Sequence, residues 1–339
     1  MVRAKRPTLA DVARRAGTST AVVSYVLNNG PRPVSDALRT KVVAALDELD
    51  YRPDRVAQAL RRPRRWRQIG LLVPDLTMPL YGAFVGRIEI EARANDHLTM
   101  IGNTGFDPAR ELEFARAFTD VGIDGLIVVG TVDAPATAEL CHRARVPVAW
   151  VHNSRGVTDA PVIGADHVEA GRLATRHLAD VHGCRRIVFV GGHTAAEVEH
   201  GDRETVAQRF RGFSSIARET GVISTDLTAS GAYAAVTEHL RSCPAPPDGI
   251  VVGTHGQAAA VVRAVTDAGL RVPGDVRITG FDAHPTADYS QITLTSVTQP
   301  IDRITRRALG LLLPGDRQDA ESEPIDVVIE LGETCGCAA

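Results

Sequence analysis

The stretch that decides the reading is TLADVARRAGTSTAVVSYVLN, Thr8 to Asn28. Thr8 is placed to cap a first helix, with Asp11 three residues on in the acidic slot of a capping box. Leu9, Val12, Ala13 and Ala16 then recur at the spacing of one buried helical face. Gly17 ends that helix, because a sharp turn between packed helices needs a residue that tolerates positive φ. Ser19 caps a second helix whose Val23, Val26 and Leu27 point back at the first. Thr20, Ala21, Ser24, Tyr25 and Asn28 are left on the outer face. A helix-turn-helix offers that face to base edges in the major groove. Taken alone, the same pattern also suits an ordinary helical hairpin.

Working outward, NGPRP reads as a loop, and Val34 and Ser35 open a third helix with Asp36 in its first turn. Leu38, Val42, Ala45, Leu46 and Leu49 form its buried stripe, completing a three-helix domain over residues 1–53 that Pro53 brings to a stop. Residues 54–67, DRVAQALRRPRRWR, read as a hinge helix and linker. Asp54 caps it, Val56 and Leu60 lie one turn apart, and Pro63 ends it. A helix this short needs a partner helix or a DNA groove to become ordered. Ala57 is small enough to let two such helices approach. Leu60 is placed to wedge between base steps in the minor groove, with Arg55 and the five arginines from Arg61 to Arg67 near the phosphates. The plainer alternative is a charged interdomain linker.

Charge separates the two ends of the chain. Residues 1–67 carry 15 Lys or Arg against 6 Asp or Glu, a net +9, while the remainder carries 23 against 35, a net −12. A basic head on an acidic body is the pattern expected when one end neutralises phosphates and the rest stays off the nucleic acid. At 339 residues the chain should hold two or three domains. A composition 44% hydrophobic and 23% charged excludes disorder and fibres. No apolar run is long enough to cross a bilayer, and Asp11 interrupts any secretory core, so a cytoplasmic protein is expected. Five scattered cysteines argue against a disulfide framework. Cys335 and Cys337 have no histidine or second cysteine pair after them at ligand spacing, so neither a metal nor another cofactor is expected.

From Gln68 onward, short apolar runs alternate with helical stretches. The expected strands are 69–73, 98–102, 125–129 and 147–151, then a second series at 186–190, 249–253 and 276–281. Helices are expected over 83–94, 109–121, 170–181 and 257–268, with a last helix over 301–312 and a last strand in IDVVIEL. Runs buried on both faces, alternating with helices, imply parallel sheets with right-handed crossovers. Two series imply two doubly wound lobes, and ligands in such folds sit beyond the carboxyl ends of the strands.

TLADVARRAGTSTAVVSYVLN, then VS, a helix and YRPDRVAQALR, in that order, resemble the DNA-binding head and hinge of the lactose/galactose repressor family, and the likeness runs through nearly the whole chain. The resemblance implies an all-α helix-turn-helix domain followed by an α/β two-lobed body, similar to the periplasmic sugar-binding proteins, over residues 68–339. It puts Thr20, Ala21 and Tyr25 at the main base-reading positions and Leu60 at the intercalating one. The expected DNA-contacting set is Thr8, Ser19, Thr20, Ala21, Ser24, Tyr25, Asn28, Arg55 and Leu60. Tyr25 departs from relatives that carry arginine there, which removes bidentate readout of guanine. The family's three crossings between lobes would fall near 164, 290 and 318, giving lobes of about 68–164 with 291–318, and 165–290 with 319–339.

The same likeness proposes a cleft lined by Asp75, Leu80, Tyr81, His152, Arg209, Thr254, Asp282 and Gln299. Arginine and aspartate suit one small polar ligand, since both are unfavourable to bury unless paired; a structural ion pair across the cleft is the alternative. Three departures stand against a sugar. Thr254 and His255 replace the family's Asn-Asp, Leu227 stands where a ring often stacks on the ligand, and the loop from Gly191 to Arg209 is long, with two histidines of unknown role. No leucine heptad follows the last strand, so a homodimer on a palindromic double-stranded operator, released or retained by a small-molecule effector such as a sugar, is expected. A solute-binding protein of a transport system shares the body but predicts a signal peptide and no basic head. No GxSxG, GxxxxGK, GxGxxG or HExxH proposes an enzyme.

Overall fold

The computed structural model describes residues 7–28, 34–49, 67–130, 134–153, 162–198, 201–217, 221–282, 292–313 and 324–337. Arg55 and Leu60 therefore lie outside the described residues. The chain separates into two compact units, Met1–Arg65 and Trp66–Ala339.

In the first unit, α1 (Leu9–Arg15), α2 (Thr20–Asn28) and α3 (Asp36–Glu48) pack around Val12, Ala13, Ala16, Val23, Val42 and Ala45. Thr8 and Asp11 make the reciprocal capping box, with the Asp11 amide donating to Thr8 Oγ1 at 3.3 Å and the Thr8 amide to Asp11 Oδ2 at 2.9 Å. Such a cap stabilises a helix by about 1 kcal/mol. At the other end Gly17 takes φ +65°, and the amides of Gly17 and Thr18 donate back to Arg14 and Ala13. These two bonds are a Schellman motif, which satisfies carbonyls the helix end would otherwise leave open.

The second unit holds two sheets. The first contains β1 (Arg67–Val73), β2 (His97–Asn103), β3 (Gly125–Val129), β4 (Val148–Val151) and β5 (Val162–Ile163), all parallel, in the order β2-β1-β3-β4-β5. Helices α4 (Pro79–Ala94), α5 (Pro108–Val121) and α6 (Ala134–Ala144) connect them. Apolar clusters cover both faces of this sheet, which is why every residue of GLIVV in β3 is buried.

The second sheet contains β6 (Ile187–Val190), β7 (Gly221–Ile223), β8 (Gly249–Val252), β9 (Arg277–Phe281), β10 (Thr295–Thr298) and β11 (Val328–Glu330). Its order is β11-β10-β9-β8-β6-β7, with only β11 antiparallel. Helices α7 (His167–Arg176), α8 (Arg203–Ser214), α9 (Ala229–Ser242) and α10 (His255–Asp267) accompany it. The stretch expected as one helix over 170–181 is α7 followed by a π turn, His177–Val181. Both lobes thus repeat one doubly wound order, which puts a ligand crevice at the carboxyl ends of their strands.

The lobe boundaries differ from those expected. Strand β10 pairs with β9 in the second lobe, so residues 295–298 do not belong to the first, and the chain crosses at Gln299–Pro300 rather than near 290. Helix α11 (Ile301–Leu312) then buries Ile304, Ala308, Leu309 and Leu312 in the first lobe. Each such Ile or Leu contributes about 1.5–3 kcal/mol, enough to hold the helix there. The return crossing follows Ile325, still in the first core and bridged to Ala165, rather than lying near 318. The first crossing runs through Gly164–Asp166, the stretch near 164 that the family resemblance implies. Among the described residues, no helix is long and apolar enough to cross a membrane.

Candidate functional site

In the head, Thr8 and Ser19 are exposed and act as helix caps, Ser19 Oγ accepting from the Val22 amide at 3.3 Å. Thr20 and Ala21 are exposed on the outer face of α2, and Ser24 and Tyr25 are half-buried. The side chain of Asn28 lies outside the described residues.

In the body, the polar residues of the cleft stand where strands end. His152 directly follows β4, Asp282 follows β9, Gln299 follows β10, and Thr254 stands two residues past β8. His152 and Asp282 take positive φ, +76° and +55°, in a region where non-glycine backbone is strained, and such strain collects at binding sites. Two close helix contacts set the position of Arg209. A Cβ on Gly171 would come 2.0 Å from the Arg209 carbonyl oxygen, and one on Gly212 would come 2.0 Å from that of Val168, so α7 and α8 meet backbone to backbone.

The side chains form one hydrogen-bonded chain across the lobes. Tyr81 of α4 donates to Asp202 Oδ2 at 3.5 Å, and Asp202 Oδ2 lies 2.8 Å from His152 Nε2. His152 Nδ1 lies 3.0 Å from Gln299 Oε1, and Gln299 Nε2 donates to Asp282 Oδ1 at 2.9 Å. Asp282 Oδ2 accepts from Arg209 Nη2 at 2.5 Å. Arg209 also donates to the Gly253 carbonyl at 3.0 Å and lies 4.1 Å over the Phe281 ring. Its Nε is buried with no hydrogen-bond partner among the described residues, a donor left over for a ligand oxygen. Arg209 and Asp282 both belong to the second lobe, so their ion pair does not span the cleft; the bonds of Tyr81 and His152 to Asp202 do.

Asp202, Thr205, Asn153 and His167 belong to this network although no apolar pattern pointed to them. Asn153 Nδ2 donates to Asp202 Oδ1 at 2.5 Å and to Thr205 Oγ1 at 2.6 Å. The available signal was local: Asp202 sits three residues before Thr205 at the start of a helical run, as an N-cap does, and its side chain accepts from the Thr205 amide at 3.2 Å. Burial pushes the Asp202 carboxyl up, but the hydrogen bond and charge of His152 outweigh it and hold the group well below the usual carboxylate range. His167 is buried against the network with its ring 4.9 Å from that of His152. Burial, then the charge of Arg209, push its pKa well below the ordinary histidine value, so it is neutral.

A cavity of about 70 Å³ opens beside this chain, lined by Met78, Pro79, Leu80, Tyr81, His152, Asp202, Thr205, Val206, Arg209, Thr254, His255, Gly256 and Asp282. Leu80, Tyr81, His152, Arg209, Thr254 and Asp282 are thus brought together. Gln299 touches the network from beside the cavity. Asp75 does not line it, because its carboxylate caps the loop through Thr77 at 2.8 and 2.7 Å. The aromatic ring expected near residue 227 is absent, and Leu227 packs on the second-lobe core instead.

Residues 8–54 match the model of bacterial regulatory proteins, lacI family, and residues 175–332 match that of a periplasmic binding protein-like domain. The chain is 30% identical over 308 residues to the HTH-type transcriptional regulator GntR of Escherichia coli strain K12, covering 89% of this chain and 90% of that one. It superposes with a TM-score of 0.65 on a LacI family transcriptional regulator from Enterococcus faecium with bound ribose, at 25% identity over 79% of this chain and 98% of that one. With the Lac repressor dimer bound to operator and the anti-inducer ONPF the TM-score is 0.73, at 23% identity over 98% and 99%, which supports the fold.

Proposed function

This chain belongs to the lacI family of bacterial regulatory proteins, and from that premise we propose that it is a homodimeric repressor whose grip on a palindromic operator is set by a small neutral polyol held between Tyr81, His152, Asp202, Arg209, Asp282 and Gln299. It is a DNA-binding transcriptional regulator and not an enzyme. The head matched to the family separates it from a transport solute-binding protein, which shares only the body.

The observation that carries the proposal is the hydrogen-bonded chain from Tyr81 to Arg209, the part of the molecule in which both lobes share polar partners. A ligand entering the cleft exchanges those bonds for its own and so resets the angle between lobes. In a dimer, that angle sets the spacing at which two heads meet their half-sites. The effector acts only through its differential affinity for the two states, typically about 1–3 kcal/mol, or roughly 5–150-fold in operator affinity. The chemistry of the lining favours hydroxyls over acids. Arg209 is already neutralised by Asp282, and Asp202 adds a further negative charge, so an anionic ligand meets no free cation among the described lining residues. In the head, Thr20, Ala21, Ser24 and Tyr25 of α2 would read base edges, with Thr8, Ser19 and Asn28 at its margins.

The test is a thermal-shift screen of neutral sugars and polyols against sugar acids and phosphates, followed by operator-binding anisotropy. A neutral ligand at a hundredfold its Kd should add about 2.7 kcal/mol of stability and change operator affinity. Stabilisation by anionic compounds alone would overturn the charge argument.

A further inference from the structure

We infer that this protein carries a structural zinc ion, held by His177, His182, Cys335 and Cys337 at the end of the second lobe opposite the cleft. One ligand atom from each of these four residues lies within 4.8 Å of the other three, and the sequence brings them from segments about 160 residues apart.

Four of the six separations among these ligand atoms match those of a tetrahedron, and all six lie within 4.8 Å. With Zn–S of about 2.3 Å and Zn–N of about 2.0–2.1 Å, tetrahedral angles require roughly 3.3 Å between the two nitrogens and roughly 3.6 Å between a nitrogen and a sulfur. The two Nε2 atoms are 3.2 Å apart. His177 Nε2 lies 3.3 Å from Cys335 Sγ and 3.6 Å from Cys337 Sγ, and His182 Nε2 lies 3.5 Å from Cys337 Sγ. Hydrogen bonds account for such contacts one pair at a time. They do not require four soft ligand atoms to converge on one centre.

The local backbone explains how they converge. His177 and His182 are five residues apart, which in an α-helix would leave them about 140° apart around the axis. Instead His177 opens the π turn His177–Val181 and His182 caps its end, and the turn's i to i+5 closure brings residues at that spacing to the same side. Cys335 and Cys337 flank Gly336 at φ +90°, a conformation that curls both thiols to one side and lets the Cys337 amide donate to Cys335 Sγ at 3.4 Å. Bonds of Thr334 to Ile278, Thr293 and Thr295 fasten this turn to β9 and β10. His177 and Cys335 are buried and His182 and Cys337 half-buried, which leaves an entry path for the ion. Two thiolates and two neutral imidazoles in a closed tetrahedron suit Zn²⁺ and leave no position for substrate, as in structural sites. The ion would tie the turn at Cys335–Cys337 to the junction between α7 and β6.

The full-length protein, purified under reducing conditions with any affinity tag removed, should contain one zinc per chain by elemental analysis. The protein stripped with a chelator should regain one equivalent from zinc salt with a rise in Tm, and Co²⁺ in its place should give a tetrahedral d–d spectrum with thiolate-to-metal charge transfer. The His182→Ala/Cys337→Ala variant should bind no zinc, while Cys243→Ala, outside the cluster, should bind it fully. The inference is overturned if the reduced, stripped wild-type chain takes up no zinc or another metal in preference, if Co²⁺ shows no thiolate band, or if the double variant binds like wild type. The cobalt spectrum needs no variant, so the outcome does not depend on a substituted chain folding.

Discussion

Replacing Arg209 by methionine tests whether the cleft network is as dry as its geometry indicates. The Arg209 and Asp282 side chains are 3% and 4% exposed, so their 2.5 Å ion pair is little screened by water. Arg209→Met would strip the carboxylate of its only cation among the described residues, leaving it the Gln299 amide, and would also release the Gly253 carbonyl and the contact with Phe281. Breaking a buried pair from one side typically destabilises by about 3–5 kcal/mol, because a desolvated charge is left behind. For a unit of this size, at about 2 °C per kcal/mol, that is a fall in Tm of roughly 6–10 °C. Arg209→Met/Asp282→Leu removes both charges and leaves apolar groups beside Phe281, so it should destabilise far less, by about 0–2 kcal/mol. Urea unfolding followed by far-UV circular dichroism on wild type, both single variants and the double closes the cycle. The double variant should also keep operator binding at 25 °C while losing its response to the effector, which separates function from stability. Additive effects, or a single-variant loss below about 1 kcal/mol, would show a solvated pair and refute the reasoning.

Four further outcomes follow from the same structure. His167→Phe should remove a pH dependence: the folded imidazole stays neutral while the unfolded one, with a pKa of about 6.5, takes up a proton, so wild-type stability is full above that pH and falls by about 1.4 kcal/mol by pH 5.5. An unchanged pH slope in the variant, measured by urea titration, would show that His167 is not the group responsible. Gly212→Ala should destabilise by about 1–3 kcal/mol because its methyl would meet backbone rather than a movable side chain, whereas Gly82→Ala on α4, with nothing within 4 Å, should stabilise by about 0.5–1 kcal/mol; equal effects in thermal melts would contradict the close helix contact. Tyr25→Arg should change the preferred base at one operator position in a binding-site selection, and an unaltered preference would remove Tyr25 from the groove. If the head neutralises about 6–10 phosphates, operator affinity should drop by roughly 10³–10⁵ between 50 and 200 mM salt, a slope read by anisotropy.

Much of the site was legible because its residues follow apolar runs. His152, Thr254 and Asp282 stand just past expected strands, whereas Gln299 and Arg209 were proposed by the family resemblance alone. Asp75 also follows an expected strand, but its carboxylate caps its own loop through the threonine two residues on and does not line the cavity. Asp202 was missed for the converse reason: its loop has no period, and only the fold brings it to His152.

The amino-acid order alone determined what short-range physics can encode: the capped helices around Gly17, the alternating strands and helices of the body, and the contrast between a cationic head and an anionic remainder. Tertiary structure decided which distant segments meet. Residues 295–298 joined the second lobe because β9 offered them an open edge. Tyr81 and His152 reached Asp202 across the cleft, and two histidines on a π turn met two cysteines near the chain's end. Periodicity records which face of an element is apolar, but the partner of that face is chosen by long-range packing, and no local pattern carries that choice.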